Sequence, residues 1–311
     1  MNRGFSRRTF IETLLLGTGT AFSLKAKGAA PSDLVLVKGE MLPAFLKALE
    51  ALGGIKRFVK ANDKVVIKPN MSFSSGPDVG ANTHPALVAE VARRCASAGA
   101  REILVCDNPL HRPNACLKGS GIIEALKGIP NTRFQFFTEN KFFEKMEIPG
   151  GETLKKVSVL KPAFEADVLI NIPKAKTHGS ATVTLALKNL MGLIWERKAF
   201  HVRYDLHQAI ADLATLIQPT LTILDASSAM VRGGPGGPGR LEYPGAIIAG
   251  TNQLEVDALG VSLARWYGKD LTARDIPHLF NAYRLGLGEV NLKNLSYRRL
   301  QVRNAIKNEG G

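Results

Sequence analysis

The stretch of sequence that decides the fold is DVLINIPKAKTH, which runs from Asp167 to His178. Its first part, Val168–Ile172, is a short and almost wholly apolar run that ends at Pro173. Such a run is typical of a strand buried on both faces, as in the parallel sheets of α/β proteins. Lysine, threonine and histidine follow it directly, so polar chemistry begins where the predicted strand ends.

The chain on either side repeats this alternation of short apolar runs and amphipathic stretches. The apolar runs predict strands at Leu34–Lys38, Val65–Lys68, Ile103–Asp107, Phe134–Thr138, Val168–Ile172, Leu221–Asp225 and Ala246–Gly250. The amphipathic stretches predict helices at Leu42–Leu52, Pro85–Ala98, Ile122–Lys127, Thr182–Leu193, Leu206–Ile217 and Val256–Tyr267. Helices between successive strands imply right-handed crossovers, so we expect an α/β fold with a mainly parallel sheet and helices on both faces.

One segment departs from this alternation. In Lys141–Leu160 two alternating runs flank Pro149–Gly151, which predicts a β-hairpin inserted into the α/β body. Of the 311 residues, 45% are hydrophobic and 22% charged, which is enough apolar material for a packed core and excludes a wholly disordered chain. We expect a single α/β domain over residues 31–311.

The N-terminal residues have the pattern of a targeting signal. Residues 6–10 read SRRTF, with Arg7 and Arg8 paired, and a modestly apolar stretch and several small residues follow by residue 30. This order predicts a twin-arginine export signal over residues 1–30, with the twin-arginine translocase as partner and a periplasmic or otherwise exported location. The alternative is a basic N-terminal helix that contains two arginines by chance. We expect no integral membrane domain after cleavage.

The net charge is +14, from 41 Lys and Arg against 27 Asp and Glu. This balance suits anionic partners. The basic residues are spread along the chain without interleaved aromatics, so we expect no nucleic-acid partner.

Polar clusters follow several predicted strands, and parallel sheets bind ligands beyond the carboxyl ends of their strands. Lysines and amides here predict a pocket for a small anionic ligand or cofactor, and Lys174 and Lys176, two positions apart in an extended segment, are expected to meet the same ligand. A glycine-rich loop at residues 233–239 follows another strand and could supply a nest of backbone amides. The candidate ligand-binding residues are Lys68, Asn70, Lys174, Lys176, Lys188, Asn189, Asp225 and Arg232. Glu255 and Asp257 are read as ordinary acidic residues near the start of a helix.

Histidines supply the other candidates. His178 is the choice for proton transfer, because an imidazole titrates near neutral pH. His178, His201 and His207 could furnish metal ligands, although their spacing matches no compact zinc pattern. Cys95, Cys106 and Cys116 are too few for the four ligands of an ordinary iron–sulfur cluster.

Several of these strings together resemble domain of unknown function 362, from about residue 63 to the C-terminus. They are Ile67–Asn70, Ala166–His178, Val183–Gly192, Gly286–Gly288 and the stretch from Asp225 through Met230 to Pro235. The resemblance implies site roles for nine residues: Lys68, Asn70, Lys174, Lys176, His178, Lys188, Asn189, Asp225 and His201. Many members of that family carry cysteine-rich ferredoxin-like modules and some are described as iron–sulfur proteins, which implies a metal or iron–sulfur cofactor, but this sequence shows no such module. Val231 also stands where members often have an acidic residue.

The function expected from these features is that of an exported protein with a basic strand-end pocket for a small anionic ligand or cofactor. Two alternatives stay open. One is a metal- or iron–sulfur-associated redox protein loaded before export, and the other is a non-catalytic binding or assembly factor with an acidic partner.

Overall fold

The fold is built on a large twisted sheet, and a computed structural model describes residues 33–302 of the chain. The strands of this range are β1 (Leu34–Lys38), β2 (Lys64–Pro69), β3 (Glu102–Asp107), β4 (Thr132–Phe136), β5 (Phe143–Glu147), β6 (Lys156–Leu160), β7 (Val168–Ile172), β8 (Lys174–His178), β9 (Thr182–Thr184), β10 (Leu221–Arg232), β11 (Arg240–Glu242), β12 (Ala246–Gly250) and β13 (Arg298–Gln301). The α-helices are α1 (Met41–Ala51), α2 (Pro85–Ser97), α3 (Pro113–Ser120), α4 (Ile122–Leu126), α5 (Lys161–Glu165), α6 (Ala186–Asn189), α7 (Arg197–Val202), α8 (Leu206–Leu216), α9 (Gln253–Val261) and α10 (Pro277–Arg284).

The main sheet has the strand order β13-β1-β12-β10-β7-β2-β3-β4. The run from β10 to β4 is parallel throughout, and β12 is antiparallel to both of its neighbours. Beyond this row, β8 pairs with the distal part of β10, β9 pairs with β8, and β11 pairs with β10. The carboxyl ends of β2 and β7 lie side by side, with Pro69 opposite Ile172.

Both faces of the sheet are covered by helices. Along β2, Val65 and Ile67 belong to one hydrophobic core and Val66 to the other, as expected for a strand buried on both sides. Helices α1 and α2 pack into the first core, and α8 and α9 into the second. The expected α/β class, with a mainly parallel sheet and helices on both faces, is confirmed.

Three expected elements differ from those observed. The helix expected over Thr182–Leu193 is wrong at its start, because Thr182–Thr184 is strand β9; its β-branched side chains suit a strand, and it pairs with β8. The helix expected over Val256–Tyr267 begins earlier and ends at Val261, since the Asn252 side chain caps it by accepting from two backbone N–H groups. The strand expected over Leu221–Asp225 continues to Arg232.

The expected hairpin is present as the antiparallel pair β5 and β6, with Phe143 opposite Leu160. Asp212 of α8 anchors its tip. The buried carboxylate of Asp212 accepts from the backbone N–H groups of Glu152, Thr153 and Leu154 at 2.7–3.0 Å. Gln208 of the same helix donates to it at 2.9 Å.

The expected export signal over residues 1–30 lies outside the described residues. None of the helices found between residues 33 and 302 is long and apolar enough to span a membrane.

Replacing Asp212 by Ala should detach the hairpin tip, because three backbone N–H groups lose their common buried acceptor. We expect a loss of about 2–4 kcal/mol in the free energy of unfolding, measured with urea, since hydrogen bonds to a buried charge contribute about 1.5–3 kcal/mol. Glu124→Ala, an exposed change on α4, is the control. Equal stability of the two variants would contradict the anchoring role.

Candidate functional site

A small pocket lies at the carboxyl ends of β2 and β8, beneath α6 and α7. Its volume is about 30 Å³, room for only a few heavy atoms at roughly 10–15 Å³ for each water-sized occupant. It reaches the surface beside the exposed Leu110. The polar side chains that line it are Asn70, Ser72, Lys176, His178, Thr184, Lys188, Asn189 and Arg197. We call this space the strand-end pocket.

Of the nine residues predicted to bind a ligand or to transfer a proton, five line the strand-end pocket and four do not. Those that line it are Asn70, Lys176, His178, Lys188 and Asn189. Lys68, Lys174, Asp225 and Arg232 are outside the lining. Lys68 is buried next to the pocket, against the lining residues Asn189 and Gly192. Arg232 is exposed at the end of β10.

A chain of buried amides fixes the pocket floor. The Asn70 side chain donates to Oδ1 of Asn189 at 2.9 Å, and Asn189 donates to Oδ1 of Asn171 at 2.8 Å. Asn171 in turn donates to the carbonyl oxygen of Ala186 at 3.1 Å. Carboxamides both donate and accept, so this chain ties the ends of β2 and β7 to α6 with each polar group used.

Lys68 and Asp107 form a buried ion pair behind the pocket, at 3.1 Å. Asp107 also accepts from the backbone N–H groups of Met71 and Asn108, at 3.0 and 2.8 Å. Gly192 is required beside this pair, because a Cβ there would lie 2.1 Å from Asp107 Oδ1 and 2.4 Å from Lys68 Cε. Asp107 therefore neutralises the charge of Lys68. Lys68 supports the pocket from behind and does not line it.

Lys174 and Lys176, which were expected to face the same ligand, lie in different surroundings, and only Lys176 lines the strand-end pocket. The register of β8 against β10 sets Lys174 opposite Asp225, and the two side chains pair at 3.0 Å. Burial raises the pKa of Asp225, but Lys174 and the hydrogen bonds from Ser227 and His84 outweigh it and hold the pKa below its usual value. Lys174 and Asp225 thus neutralise each other as a buried ion pair.

Lys176, two residues on, has no such carboxylate. Its amine donates to Asn70 Oδ1 at 3.0 Å and to the carbonyl oxygen of Ala81, and it lies 4.3 Å from the centroid of the Phe73 ring. Burial lowers the pKa of Lys176 well below its usual value, despite the opposing effect of Asp107. A buried amine in this position gains from any anion that enters the pocket.

Lys188 is the least satisfied cation of the site. It is 7% exposed and lines the pocket, and between residues 33 and 302 its amine makes no hydrogen bond and has no carboxylate within ion-pair distance. Burial, and secondly the nearby charge of Arg197, lower the pKa of Lys188 to about 7. Arg197 itself holds a buried Nε without a partner, and burial lowers its pKa.

Asp257 positions Lys188. Its buried carboxyl accepts from the backbone N–H groups of Ala186 and Leu187, at 2.6 and 2.9 Å, which are the first two residues of α6. Burial raises the pKa of Asp257 to about 7, against the opposing effect of the two amides. Asp257 therefore does more than the ordinary acidic residue near a helix start that the sequence suggested, because it holds the start of a different helix.

His178 has a different character from the one expected. Burial, and secondly Lys188, lower the pKa of His178 to about 3, so the imidazole is neutral near pH 7. Its Nδ1 accepts from the backbone N–H groups of Ser180 and Ala181, both at 3.2 Å. The neutral ring then carries its proton on Nε2 and is a hydrogen-bond donor, which argues against proton transfer by a group that titrates near neutrality.

The three histidines predicted as metal ligands lie in two stacked pairs. His178 stacks on His201 at 5.7 Å between ring centroids, and His207 stacks on the buried His278 at 5.9 Å. Over residues 33–302 no group of three or more His, Cys, Asp or Glu side chains is arranged to hold a metal ion.

The cysteines do not fit an iron–sulfur cluster. Cys95, Cys106 and Cys116 are buried on α2, β3 and α3, and burial raises the pKa of the first two thiols to about 12. A cluster is held by thiolates, which these environments disfavour.

The glycines of the 233–239 loop serve close packing. A Cβ on Gly234 would lie 2.1 Å from the carbonyl oxygen of Thr177, and one on Gly236 would lie 2.9 Å from the Phe73 ring. Gly234 also donates its N–H to Thr177 Oγ1 at 3.1 Å. The loop is thereby held against β8, and its Pro235 lines the strand-end pocket.

These features define an α/β protein with a buried, lysine-rich site at the carboxyl ends of its strands. The model of the family described as a domain of unknown function (DUF362) matches residues 65–262, and the chain belongs to that family. A thylakoid-associated protein of Synechocystis sp. is 29% identical over an alignment of 209 positions, and the alignment covers 63% of this chain. The chain spans 62% of the length of that relative.

Sequence reasoning missed four residues that shape the site: Ser72, Asp107, Thr184 and Arg197. Asp107 carried a usable signal, since it ends a predicted strand as Lys68 does. Arg197 carried none, because it follows an irregular segment far from any predicted strand end.

Replacing Lys188 by Met should stabilise the protein, most strongly below pH 7. Between pH 7 and 10.5 the unfolded chain binds a proton at Lys188 that the folded chain does not, so its contribution to stability rises with pH by about 1.4 kcal/mol per unit. Below pH 7 Lys188 is protonated in both states, so the folded wild type is destabilised by the whole free-energy cost of burying its charge, and Lys188→Met removes that cost. Urea unfolding at pH 6 and pH 9 should show the larger gain at pH 6, and no gain for the exposed Lys145→Met. A larger gain at pH 9 would be the wrong sign.

Proposed function

We propose that the protein binds a small anion, a carboxylate or an oxyanion, in the strand-end pocket. The observation that carries this proposal is the composition of the lining within the described residues: Lys176, Lys188 and Arg197 face the space, and no carboxylate does. A bound anion would supply the partner that Lys188 lacks, and charge-assisted hydrogen bonds of this kind are about twice as strong as neutral ones.

Each cation has a distinct part in this proposal. Lys188 provides the charge that no protein group neutralises. Arg197 offers a planar guanidinium that can hold two oxygens of one carboxylate. Lys176 is already fixed by Asn70 and Ala81, so it brings a preorganised donor. His178 adds a neutral donor at the pocket wall.

The size of the pocket limits the ligand to a compact group. About 30 Å³ is too small for a nucleotide or a sugar phosphate as a whole. The anionic group would occupy the inner end, and any remaining part of the ligand would extend toward Leu110 at the surface.

Binding should depend on Lys188 and on pH. With sulfate or lactate, whose charges are constant between pH 6 and 9, we expect Lys188→Met to lower the affinity at pH 6 about tenfold, equivalent to about 1.4 kcal/mol. The wild-type affinity should fall as the pH rises through about 7, because the amine loses its proton. Isothermal titration at constant ionic strength measures both effects.

Lys145→Met, an exposed change on β5, is the matched control and should bind as the wild type does. Equal affinities for wild type and Lys188→Met, or an affinity independent of pH, would contradict the assignment of the pocket.

We also propose that the protein is exported by the twin-arginine route, on the strength of the SRRTF string at residues 6–10. Replacing Arg7 and Arg8 by Lys keeps the charge and removes the recognition signal. In a host with a working twin-arginine system, we expect the full chain to remain in the cytoplasm, as seen by immunoblotting of cell fractions. Arg3→Lys is the control, and undiminished export of the double variant would refute this route.

A further inference from the structure

The amine of Lys188 has the features of a nucleophile in its neutral form, in addition to being a cation when protonated. It is more than nine-tenths buried, it faces the strand-end pocket, and between residues 33 and 302 it has neither a hydrogen-bond acceptor nor a counter-ion. Lysines elsewhere in the site differ in this respect: Lys68 and Lys174 are paired with aspartates, and Lys176 donates to two oxygens.

A large share of Lys188 is neutral near pH 7, because burial and the charge of Arg197 disfavour the ammonium form. A lysine amine is activated as a nucleophile in this way, by desolvation or by a neighbouring cation. An ordinary surface lysine is almost fully protonated at this pH, and its nitrogen has no free electron pair to offer.

The neighbouring groups suit a carbonyl compound that carries a carboxylate. Arg197 has a buried Nε without a partner, which can donate to a carboxylate oxygen. Thr184 has a buried hydroxyl that makes no hydrogen bond within the described chain. Both residues line the same pocket as Lys188, so two residues with unsatisfied buried donors border the space that Lys188 lines.

We propose that Lys188 forms a Schiff base with a small 2-oxo acid in the strand-end pocket. This inference rests on the proposed anion binding and names its substrate class. The nitrogen electron pair attacks the carbonyl carbon, the carbon–oxygen π pair moves to oxygen, and that oxygen takes up the proton released from nitrogen. The resulting carbinolamine loses water as the carbon–nitrogen double bond forms. One amine and one carbonyl give one imine and one water, and no oxidant or reductant is needed.

The surrounding residues divide the remaining work. Arg197 holds the carboxylate and so sets the carbonyl carbon near Nζ of Lys188. Thr184 or the Nε2–H of His178 donates to the carbonyl oxygen as its charge develops. Asp257 is a positioning residue, because it fixes the start of α6 and through it the Lys188 backbone.

The test is reductive trapping with pyruvate and sodium cyanoborohydride on the full chain. Intact mass and peptide mapping should show one adduct, located at Lys188 and saturable with pyruvate. Lactate has the same charge and nearly the same shape but no carbonyl group, so it should slow trapping by competition and form no adduct. The trapping rate should rise with pH up to about 7, as the amine becomes neutral.

Two variants sharpen the test. Lys188→Met should lose the adduct, and Lys145→Met should retain it at the wild-type rate. Peptide mapping of the wild type gives the location of the adduct independently, so the result does not depend on how well Lys188→Met folds.

The outcomes separate the two proposals. Stabilisation against heat by both pyruvate and lactate, with no adduct at Lys188 or with adducts spread evenly over surface lysines, would overturn the Schiff base and leave the anion pocket intact. If pyruvate and lactate do not stabilise the protein against heat and no adduct forms at Lys188, both proposals are overturned.

Discussion

The structure depends on how buried positive charge is balanced at one end of the sheet. Four lysines of the described chain are buried, Lys68, Lys174, Lys176 and Lys188, and two of them pair with buried aspartates. Removing an ammonium group from water costs several kcal/mol unless it is paired or hydrogen-bonded. The paired lysines and the amide chain hold the strand ends together, whereas Lys176 and Lys188 have no carboxylate within ion-pair distance among residues 33–302.

The balance of buried charge explains why two neighbouring lysines of β8 have different structural roles. Lys174 and Lys176 are two residues apart on β8, yet one belongs to the scaffold and the other to the pocket. The difference arises from the neighbouring strand, since the register sets Asp225 opposite Lys174 and leaves Lys176 facing Asn70. Lys188 approaches the same space from α6, whose start is held by Asp257 from a separate helix.

The fold was largely predictable, because it follows from local patterns. Continuous apolar residues predict strands such as Val168–Ile172, and the central Pro149 with its neighbouring glycines predicts the hairpin. The segment Thr182–Leu193 was predicted less well, because its β-branched start and helical middle compete over a few residues. A period of 3.6 cannot be judged reliably in so short a stretch.

The candidate site was predictable only in outline. The rule that ligands bind at strand ends pointed to Asn70 and Lys176, which line the pocket, because it needs only the position where each strand ends in the sequence. Lys188 was predicted from the helix that follows. The same rule could not assign Lys174 to a salt bridge, which depends on the register between β8 and β10. It also could not find Arg197, which reaches the pocket from the first residue of the short helix α7 and follows no predicted strand. The neutral state of His178 follows from burial and from two backbone amides, neither of which a sequence displays.

The hydrogen bond between Asn70 and Asn189 joins residues that are 119 positions apart in the chain. Contacts of such high sequence separation are made late in folding, after the loop between them has closed. On a ribosome, the pocket cannot exist until α6 has emerged and docked on a sheet whose first strands were made long before. A nascent chain that has not yet added α6 therefore lacks the strand-end pocket, however complete its first strands are.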